Sequence, residues 1–467
     1  MTKILPKSSH TYSRWLCLLL LATLLGLPCA TLAQRGLEDD RVMLQGFFWE
    51  SMRHGGVKLP IGTKKWYDIV KDAAPMIKDG RFDMVWLPPP SDAGEHNEGY
   101  VPEKLFLLKN SYGDEAQHRA VLQALYTAGA EPIADIVINH RNGSDGSWAQ
   151  FKFPEWGTFA ITRNDECFSD SASEVKGTPI DKRGAEEETP REYRGTPSDS
   201  FGYRDLDHTN IQVRKDIVKY LRYLKSFGYR GWRYDMVVGY HARWISVYNH
   251  RSNPTFSVGE YWKEDNEGQG QIRGWIWHTA TKPDKQGMDQ LATCSAAFDF
   301  PGQATLRHNV GKYDAWYGFG NGIGLAGDTT TALRWCNKAV TFLENHDTAY
   351  RMNKDTGLKK DHDSADDFVG NKDIEQGYAY ILTHPGIPCV FWKHFFDRGD
   401  DMRNAITALI NARKVAKVHA GSKLHLQDNA RKRGVYAAAV DGRAGQLYVR
   451  IGGDSSAWQP SDSKYKD

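Results

Sequence analysis

Short apolar runs rich in strand-forming residues recur along the chain, and stretches long enough for a helix separate them. This alternation of strand and helix is the pattern that builds a parallel sheet. The runs lie at positions 42–49, 82–87, 132–138, 231–235, 256–260, 296–300, 340–344 and 387–391. Eight strands in this rhythm predict an α/β fold, a closed (β/α)8 barrel of the TIM type.

Two segments interrupt the rhythm. Residues 141–210 are polar, rich in Gly, Ser, Asp and Pro, and without helical periodicity, so we predict an inserted irregular domain after the third strand. From residue 418 the helical pattern stops, and the runs 435–440 and 446–451 predict a small C-terminal antiparallel β domain. The polar stretch 455–467 carries no final strand, so we expect the 418–467 domain to be incomplete. The barrel then comprises residues 34–140 and 211–417.

Residues 1–33 differ in kind from the rest of the chain. Lys3, Lys7 and Arg14 precede the apolar run 15–27, and a small-residue stretch ends at Ala33. This order is typical of a secretory signal peptide, with cleavage expected after Ala33. A membrane anchor is the alternative, but the run is shorter than the roughly 20 residues of a spanning helix. We therefore expect a secreted protein, extracellular or periplasmic, with no membrane attachment after cleavage.

The charge of the chain favours an uncharged partner. Removal of residues 1–33 takes away three cations and no acids, so the formal charge falls from +2 to −1. A nearly neutral chain without Lys or Arg blocks lacks the electrostatic footprint of a nucleic-acid or membrane-surface binder. Flat aromatic faces stack on sugar rings, which suits the 15 Trp and 22 Tyr, although most of them belong to a core. We expect the protein to act as a monomer.

Four cysteines remain after the expected cleavage, and their wide spacing excludes a zinc-type pairing. They are Cys167, Cys294, Cys336 and Cys389. In an oxidising compartment Cys294 and Cys336 could form a disulfide, and free buried thiols are the equal alternative.

Acidic side chains stand at the predicted strand ends, where a barrel of this kind carries its chemistry. Asp235 ends the fourth run, Glu260 the fifth, and Asp347 follows the seventh. A single acid in such a place is more often a helix cap. Three acids, with Asn139-His140 and Asn345-His346 at strand ends beside them, favour a catalytic site.

Asp235 and Glu260 suit the cleavage of a glycosidic bond. This reaction needs a carboxylic acid that protonates the leaving oxygen and a carboxylate that attacks the anomeric carbon. Neighbouring strands lie about 4.8 Å apart, and retaining enzymes hold their two carboxyls about 5 to 5.5 Å apart. Arg233 leaves the strand on the same face as Asp235 and would keep it ionised. We predict double displacement, with Asp235 as nucleophile and Glu260 as general acid/base.

At these residues the sequence resembles the α-amylase family, glycoside hydrolase family 13, whose four short signature regions occur in order. They are Asp135-Ile-Val-Ile-Asn139-His140, Gly231-Trp-Arg233-Tyr-Asp235, Val258-Gly-Glu260 and Phe342-Leu-Glu-Asn345-His346-Asp347. The resemblance extends from Arg41 to about Arg413. Segments 44–50, 98–102 and 378–388 look most similar to the maltotetraose-forming exo-amylases of bacteria, and next to plant α-amylases.

The resemblance implies retaining hydrolysis of α-1,4 bonds in starch and malto-oligosaccharides, with maltotetraose-type products. It implies that Asp347 is the third acid, which grips sugar hydroxyls and stabilises the distorted ring. The substrate-binding side chains that it implies are Tyr100, His140, Arg233 and His346. Tyr100 matches the tyrosine that stacks on the sugar undergoing cleavage.

The resemblance also implies a structural Ca2+ between the barrel and the insertion, and Ca2+ takes six to eight oxygen ligands. The implied ligands are Asn139, Asp199, Asp205 and the Gly239 carbonyl. For Asp199 and Asp205 the alternative is a role in turns or a helix cap. Because Gly239 follows Asp235 by four residues, the ion would fix the catalytic strand end directly.

One position departs from the family pattern. Family members commonly carry Lys or Arg three residues after the nucleophile, facing the leaving-group side, where this chain has Val238. The product pattern therefore stays open, and endo-acting hydrolysis or transglycosylation are the nearest alternatives. A non-catalytic glucan-binding barrel is disfavoured by the complete trio of acids. A barrel enzyme whose acids hold a catalytic metal is disfavoured by Arg233 beside Asp235.

Overall fold

The computed structural model describes residues 37–52, 64–94, 97–143, 151–163, 165, 203–311, 319, 322–349, 351–352, 359–360, 368, 370–427 and 434–452. The predicted signal segment, Cys167, Asp199, the rest of the insertion and the stretch 455–467 lie outside the described residues.

The strands are numbered along the chain. They are β1 (Met43–Gln45), β2 (Met84–Leu87), β3 (Glu131–Ile136), β4 (His140–Arg141), β5 (Arg204–Asp205), β6 (Gly231–Tyr234), β7 (Ser257–Gly259), β8 (Ala296–Phe298), β9 (Ala339–Thr341), β10 (Arg351–Met352), β11 (Lys359–Lys360), β12 (Ile387–Phe391), β13 (Leu424–Leu426), β14 (Tyr436–Gly442) and β15 (Gly445–Ile451).

The described helices are α1 (Trp66–Asp72), α2 (Ala74–Asp79), α3 (Glu115–Ala128), α4 (Ile211–Phe227), α5 (Arg243–Ser252), α6 (Asn266–His278), α7 (Gly287–Ala292), α8 (Phe300–Asn309), α9 (Asn371–Thr383), α10 (Trp392–Phe396) and α11 (Asp400–Ala416). Three 3-10 turns in the same described ranges lie at Trp49–Met52, Thr158–Ala160 and Trp335–Lys338.

Eight parallel strands close into a barrel in the order β1-β12-β9-β8-β7-β6-β3-β2. Each strand coincides with one of the eight apolar runs, so the predicted fold class is confirmed. Most strands are shorter than their runs, because the last residues of several runs leave the ladder as loops at the C-terminal end. The acidic residues singled out in the sequence stand at these exits.

The helices bury the face that their sequence pattern predicts. In α4 the side chains Val213, Ile217, Leu221 and Leu224 recur every three or four residues and are fully buried. The Asn210 side chain accepts a hydrogen bond from the Gln212 amide and caps this helix. The helix therefore starts directly after the insertion and returns the chain to the barrel at β6.

The insertion is attached to the barrel by a short antiparallel pair, β4 with β5, in which His140 faces Asp205. Arg141 anchors it further, because its buried guanidinium donates to Lys152 O at 2.8 Å. The same guanidinium lies 4.8 Å from the Phe151 ring centroid and 4.7 Å from that of Trp156. The insertion is thus attached from His140 onward, directly after the predicted calcium ligand Asn139.

The C-terminal residues form a three-stranded antiparallel sheet, β13-β14-β15, as predicted. Its buried Tyr436 hydroxyl lies 2.6 Å from His384 Nε2, so a buried polar pair joins the sheet to the segment after α9. The boundaries at residues 140, 210 and 417 remain predictions.

Cys294, Cys336 and Cys389 are buried free thiols, so the free-thiol alternative for Cys294 and Cys336 is confirmed. Within the ranges described above, no helix has both the length and the apolar character needed to cross a bilayer.

Candidate active site

The two principal carboxyls stand side by side at the C-terminal ends of adjacent strands. The register of β6 with β7 pairs Tyr234 with Gly259, so Asp235 and Glu260 are the next residues on each strand. The Glu260 amide donates to Tyr234 O at 2.9 Å. This hydrogen bond extends the pairing of the two strands by one residue. Both acidic residues are buried.

One guanidinium contacts three carboxyls in this region. Arg233 is fully buried, and its Nη1 lies 2.9 Å from Asp135 Oδ1 and 2.6 Å from Asp235 Oδ1. Its Nη2 lies 2.9 Å from Glu260 Oε1. The carboxyls of Asp235 and Glu260 are therefore held within the span of a single side chain. The separation of about 5 to 5.5 Å that retaining enzymes use stays a prediction for this pair.

Burial and the neighbouring charges shift the pKa values of Asp235 and Glu260. Burial raises the pKa of Glu260, Arg233 opposes the rise, and the neighbouring carboxyls of Asp235 and Asp347 add to it. Burial also raises the pKa of Asp235, again opposed by Arg233. Asp235 has the shorter contact with the guanidinium, which favours its ionised form more than that of Glu260. Glu260 is the carboxyl suited to keep a proton.

The loop after Asp235 fixes Glu260 through its backbone. Met236 adopts φ +42°, a left-handed conformation that a residue with a side chain rarely takes. In this conformation its amide donates to Glu260 Oε2 at 3.1 Å. Strained backbone of this kind persists where the surrounding structure imposes it, often at functional sites.

Asp347 and His346 form a second polar group after β9. His346 Nε2 lies 3.0 Å from Asp347 Oδ2. The Gln45 amide nitrogen can only donate, and it lies 2.9 Å from His346 Nδ1, so Nδ1 accepts. The neutral ring then carries its proton on Nε2, facing Asp347. Gln45 is fully buried at the end of β1, where it can maintain this tautomer.

Three flat rings line the same region. The Tyr100 ring is nearly parallel to those of His346 and Trp49, with centroids 5.1 and 5.9 Å away. The Tyr100 hydroxyl donates to Asp135 Oδ2 at 2.9 Å, which orients the ring. His140 Nε2 donates to Tyr100 O at 2.7 Å, so the fourth predicted substrate-binding residue supports the loop that carries the ring. All seven predicted catalytic and substrate-binding residues belong to one connected region.

The predicted calcium ligands that the structure describes also meet. Asn139 is buried, its Nδ2 donates to Asp205 Oδ1 at 3.2 Å, and its Oδ1 has no hydrogen-bond partner. A Cβ added to Gly239 would lie 1.9 Å from that oxygen, so only glycine allows this approach. In the described part of the chain, no three His, Cys, Asp or Glu side chains are grouped to hold a metal ion. A buried amide oxygen without a partner, beside a carboxylate and a glycine backbone, still fits a hard cation.

Several residues of this region were missed by sequence reasoning. Asp135 was noted only as part of a motif, yet it accepts from Trp86, Tyr100 and Arg233. Gln45 and Trp49 lie in a quoted segment, but nothing in one sequence shows that they meet His346. Asp165 accepts from the Asp205 amide at 2.6 Å across the insertion, a contact no local pattern signals.

Comparison with known proteins shows the family of this chain. Residues 70–257 match the family model for the α-amylase catalytic domain. "Probable alpha-amylase 2" of Arabidopsis thaliana is 32% identical over 452 residues, covering 91% of each chain. The glucan 1,4-alpha-maltotetraohydrolase of Roseateles saccharophilus is 28% identical over 430 residues, covering 89% of this chain and 68% of the relative.

A crystal structure of an α-amylase from Geobacillus thermoleovorans superposes with a TM-score of 0.57 at 13% identity, covering 88% of this chain and 86% of that chain. At that identity the likeness concerns the fold alone.

Replacement of Gln45 by Leu tests its role in orienting His346. The variant leaves a buried ring nitrogen without a donor, which costs about 1 to 3 kcal/mol, so we expect kcat/KM on soluble starch to fall about tenfold. The matched control is Gln303→Leu, because this buried amide donates to Leu343 O at 2.9 Å and not to a ring. We expect the control to lower the melting temperature with less than about a twofold change in kcat/KM. Equal losses of kcat/KM in both variants would show that Gln45 acts through packing alone.

Proposed function

The chain belongs to the α-amylase family and is a glycoside hydrolase of α-1,4-glucans, and we propose that it acts by double displacement through Asp235 and Glu260. The observation that supports this most is the Arg233 guanidinium, which contacts both carboxyls. Two carboxyls held by one guanidinium at the ends of adjacent strands suit a covalent glycosyl intermediate.

In the first step Glu260 donates its proton to the glycosidic oxygen as the bond to the anomeric carbon breaks. Asp235 attacks that carbon from the opposite face and forms a covalent glycosyl ester. The raised pKa of Glu260 suits the donor, and the 2.6 Å contact between Arg233 and Asp235 suits an ionised nucleophile.

In the second step Glu260, now a carboxylate, takes a proton from a water molecule. The resulting hydroxide attacks the anomeric carbon and releases Asp235, so the product keeps the α configuration. Asp347 is the third acid of the proposal and binds hydroxyls of the distorted ring. His346 and His140 bind the same sugar, and the Tyr100 face stacks on it.

We propose Ca2+ as a structural ion held by Asn139, Asp205 and the Gly239 carbonyl. Asp199, which lies outside the described residues, completes the proposed set. The ion would supply positive charge to a buried amide oxygen and to Asp205. Because the Gly239 amide donates to Met236 O at 3.0 Å, the ion would also steady the loop whose backbone contacts Glu260.

We favour exo-action with maltotetraose-type products, and endo-hydrolysis or transglycosylation remain the alternatives. Val238 is partly exposed beside the site and offers no hydrogen-bond donor to the leaving group. Secretion after removal of residues 1–33, and action as a monomer on starch and malto-oligosaccharides, complete the proposal.

A time course of products from soluble starch tests the mechanism and the product pattern together. Glu260→Gln should lower kcat by about 100- to 10,000-fold, because the leaving oxygen loses its proton donor. Glu131→Gln is the matched control, since Glu131 begins β3 at the other end of the barrel, paired with Arg41. In the parent, exo-action should release one short oligosaccharide from the start, as chromatography would detect. A mixture with rapid loss of viscosity would favour endo-action, and a Glu260→Gln rate within a few-fold of the parent would exclude Glu260 as the acid.

The pH dependence of kcat/KM should report the free enzyme's Glu260. Since burial raises the pKa of this group, activity should persist well above the about 4.3 of an ordinary glutamate and fall as pH rises through the raised value. Melting curves at each pH serve as the control that the fall is not unfolding. An alkaline limb near the ordinary glutamate value would contradict the assignment.

Chelation tests the proposed calcium site. EDTA should lower the melting temperature and the activity together, and added Ca2+ should restore both; a hundredfold excess of ligand over its dissociation constant stabilises by about 2.7 kcal/mol. Asp205→Asn should weaken this response, whereas Asp92→Asn, which changes a partly buried partner of Lys104, should retain it. A melting temperature that EDTA leaves unchanged counts against the ion.

A further inference from the structure

The turn that carries Asp347 is shaped by its own side chains. The Asn345 Oδ1 atom accepts hydrogen bonds from the amides of Asp347 and Thr348, each at 2.8 Å. Thr348 Oγ1 accepts in return from the Asn345 amide at 2.9 Å. These three hydrogen bonds are internal to the turn. The place of Asp347 above the barrel therefore also depends on contacts at the ends of the turn.

Glu344, which begins this turn, is hydrogen-bonded to a buried histidine of α10. Its Oε2 lies 3.0 Å from His394 Nε2, and both side chains are buried. A carboxylate can only accept hydrogen bonds, so this ring nitrogen carries the proton. In the neutral ring the other nitrogen, Nδ1, must then accept. The contact with Glu344 thus requires one particular tautomer of His394.

A buried tyrosine of α9 favours that tautomer. The Tyr378 hydroxyl accepts from the amide of Phe391, the last residue of β12, at 3.1 Å. Its own proton is then available for His394 Nδ1, which lies 2.9 Å away. The rings of Tyr378 and Phe391 also contact the His394 ring edge to face, with planes at 82° and 90°. A chain of hydrogen bonds therefore runs from the end of β12 through Tyr378 and His394 to Glu344.

Packing leaves space beside the same turn. A pocket of about 180 Å3 lies there, and its wall includes Glu344 and Ala349, the residues on either side of the 345–348 turn. Protein interiors rarely leave voids much larger than a water molecule. A shift of Glu344 into this space would meet little steric resistance. The hydrogen bond to His394 opposes such a shift where packing does not.

We propose that His394, oriented by Tyr378, is a positioning residue that sets the place of Asp347 through Glu344. The inference rests on the proposed retaining hydrolysis, in which Asp347 binds hydroxyls of the distorted ring. His394 is fully buried and acts only through the turn. Contacts to the distorted ring strengthen in the transition state. A displaced Asp347 should therefore lower kcat more than it raises KM.

A double-mutant cycle with maltoheptaose tests whether His394 acts through Asp347. His394→Asn, whose shorter amide cannot reach Glu344, should lower kcat about three- to tenfold with KM within about twofold of the parent. His394→Gln, which can place a donor near the position of Nε2, should restore most of kcat. Asp347→Ala should itself lower kcat about 100- to 1,000-fold. In that background His394→Asn should change kcat by less than about twofold, because the group that it positions is gone.

The matched control is His384→Asn. His384 is also a buried histidine beside a tyrosine, with its Nε2 2.6 Å from the Tyr436 hydroxyl of the C-terminal sheet. This variant should lower the melting temperature about as much as His394→Asn and leave kcat within about twofold of the parent. If His394→Asn is unfolded at the assay temperature, Glu344→Gln replaces it in the cycle. Glu344→Gln keeps the shape of the side chain and removes the charge to which the ring donates.

A loss of kcat in His394→Asn that persists in full in the Asp347→Ala background would overturn the positioning role, as would equal losses in His394→Asn and His384→Asn. An Asp347→Ala variant whose kcat stays within a few-fold of the parent would instead overturn the proposed function of Asp347 on which the inference rests. A loss that His394→Gln restores, and that disappears in the Asp347→Ala background, would establish His394 as the residue that positions Asp347.

Discussion

The site depends on one buried guanidinium that faces three carboxyls. Arg233 has no access to solvent and lies within 2.9 Å of an oxygen of each of Asp135, Asp235 and Glu260. Removal of one partner from a buried ion pair costs about 3 to 5 kcal/mol, so this group constrains the local fold as well as the chemistry. Burial raises the pKa of all three acids, and the single positive charge of Arg233 opposes the rise for each of them.

The barrel makes this arrangement possible through its register. The parallel strands β6 and β7 end side by side in the barrel. Arg233 and Asp235 at the end of β6 therefore lie next to Glu260 at the end of β7. The loop after β6 then orients individual side chains of the site. Met236 is strained so that its amide reaches Glu260, and Gly239 lacks a Cβ so that Asn139 can approach. The proposed ion would therefore act on catalysis through the same few backbone atoms.

Aromatic rings are held in a similar way at two places near the strand ends. Near β1, β2 and β9, Tyr100 is oriented by Asp135, and its ring is nearly parallel to the neighbouring rings of Trp49 and His346. After β7, Trp262 rests on Phe300 and is tied through Glu264 to α8. Both arrangements combine a carboxylate hydrogen bond with contact to at least one nearly parallel ring. Such rings suit a neutral polymer, which offers flat sugar faces and hydroxyls but no charge.

The sequence by itself determined the eight strands, the small C-terminal sheet and the acids at strand ends, because strand burial and polar strand exits leave periodic, local patterns. The resemblance to the family also implied the ligands of the proposed calcium site. Only the tertiary structure decided that Gln45 orients His346, that Asp135 joins Trp86, Tyr100 and Arg233, and that Arg307 supports Trp262 through Glu264. These contacts join residues far apart in the chain or on separate elements, so they follow from barrel closure and leave no local periodicity. The sequence shows which acidic and polar residues stand at each strand end, and closure of the barrel determines which of these residues contact one another.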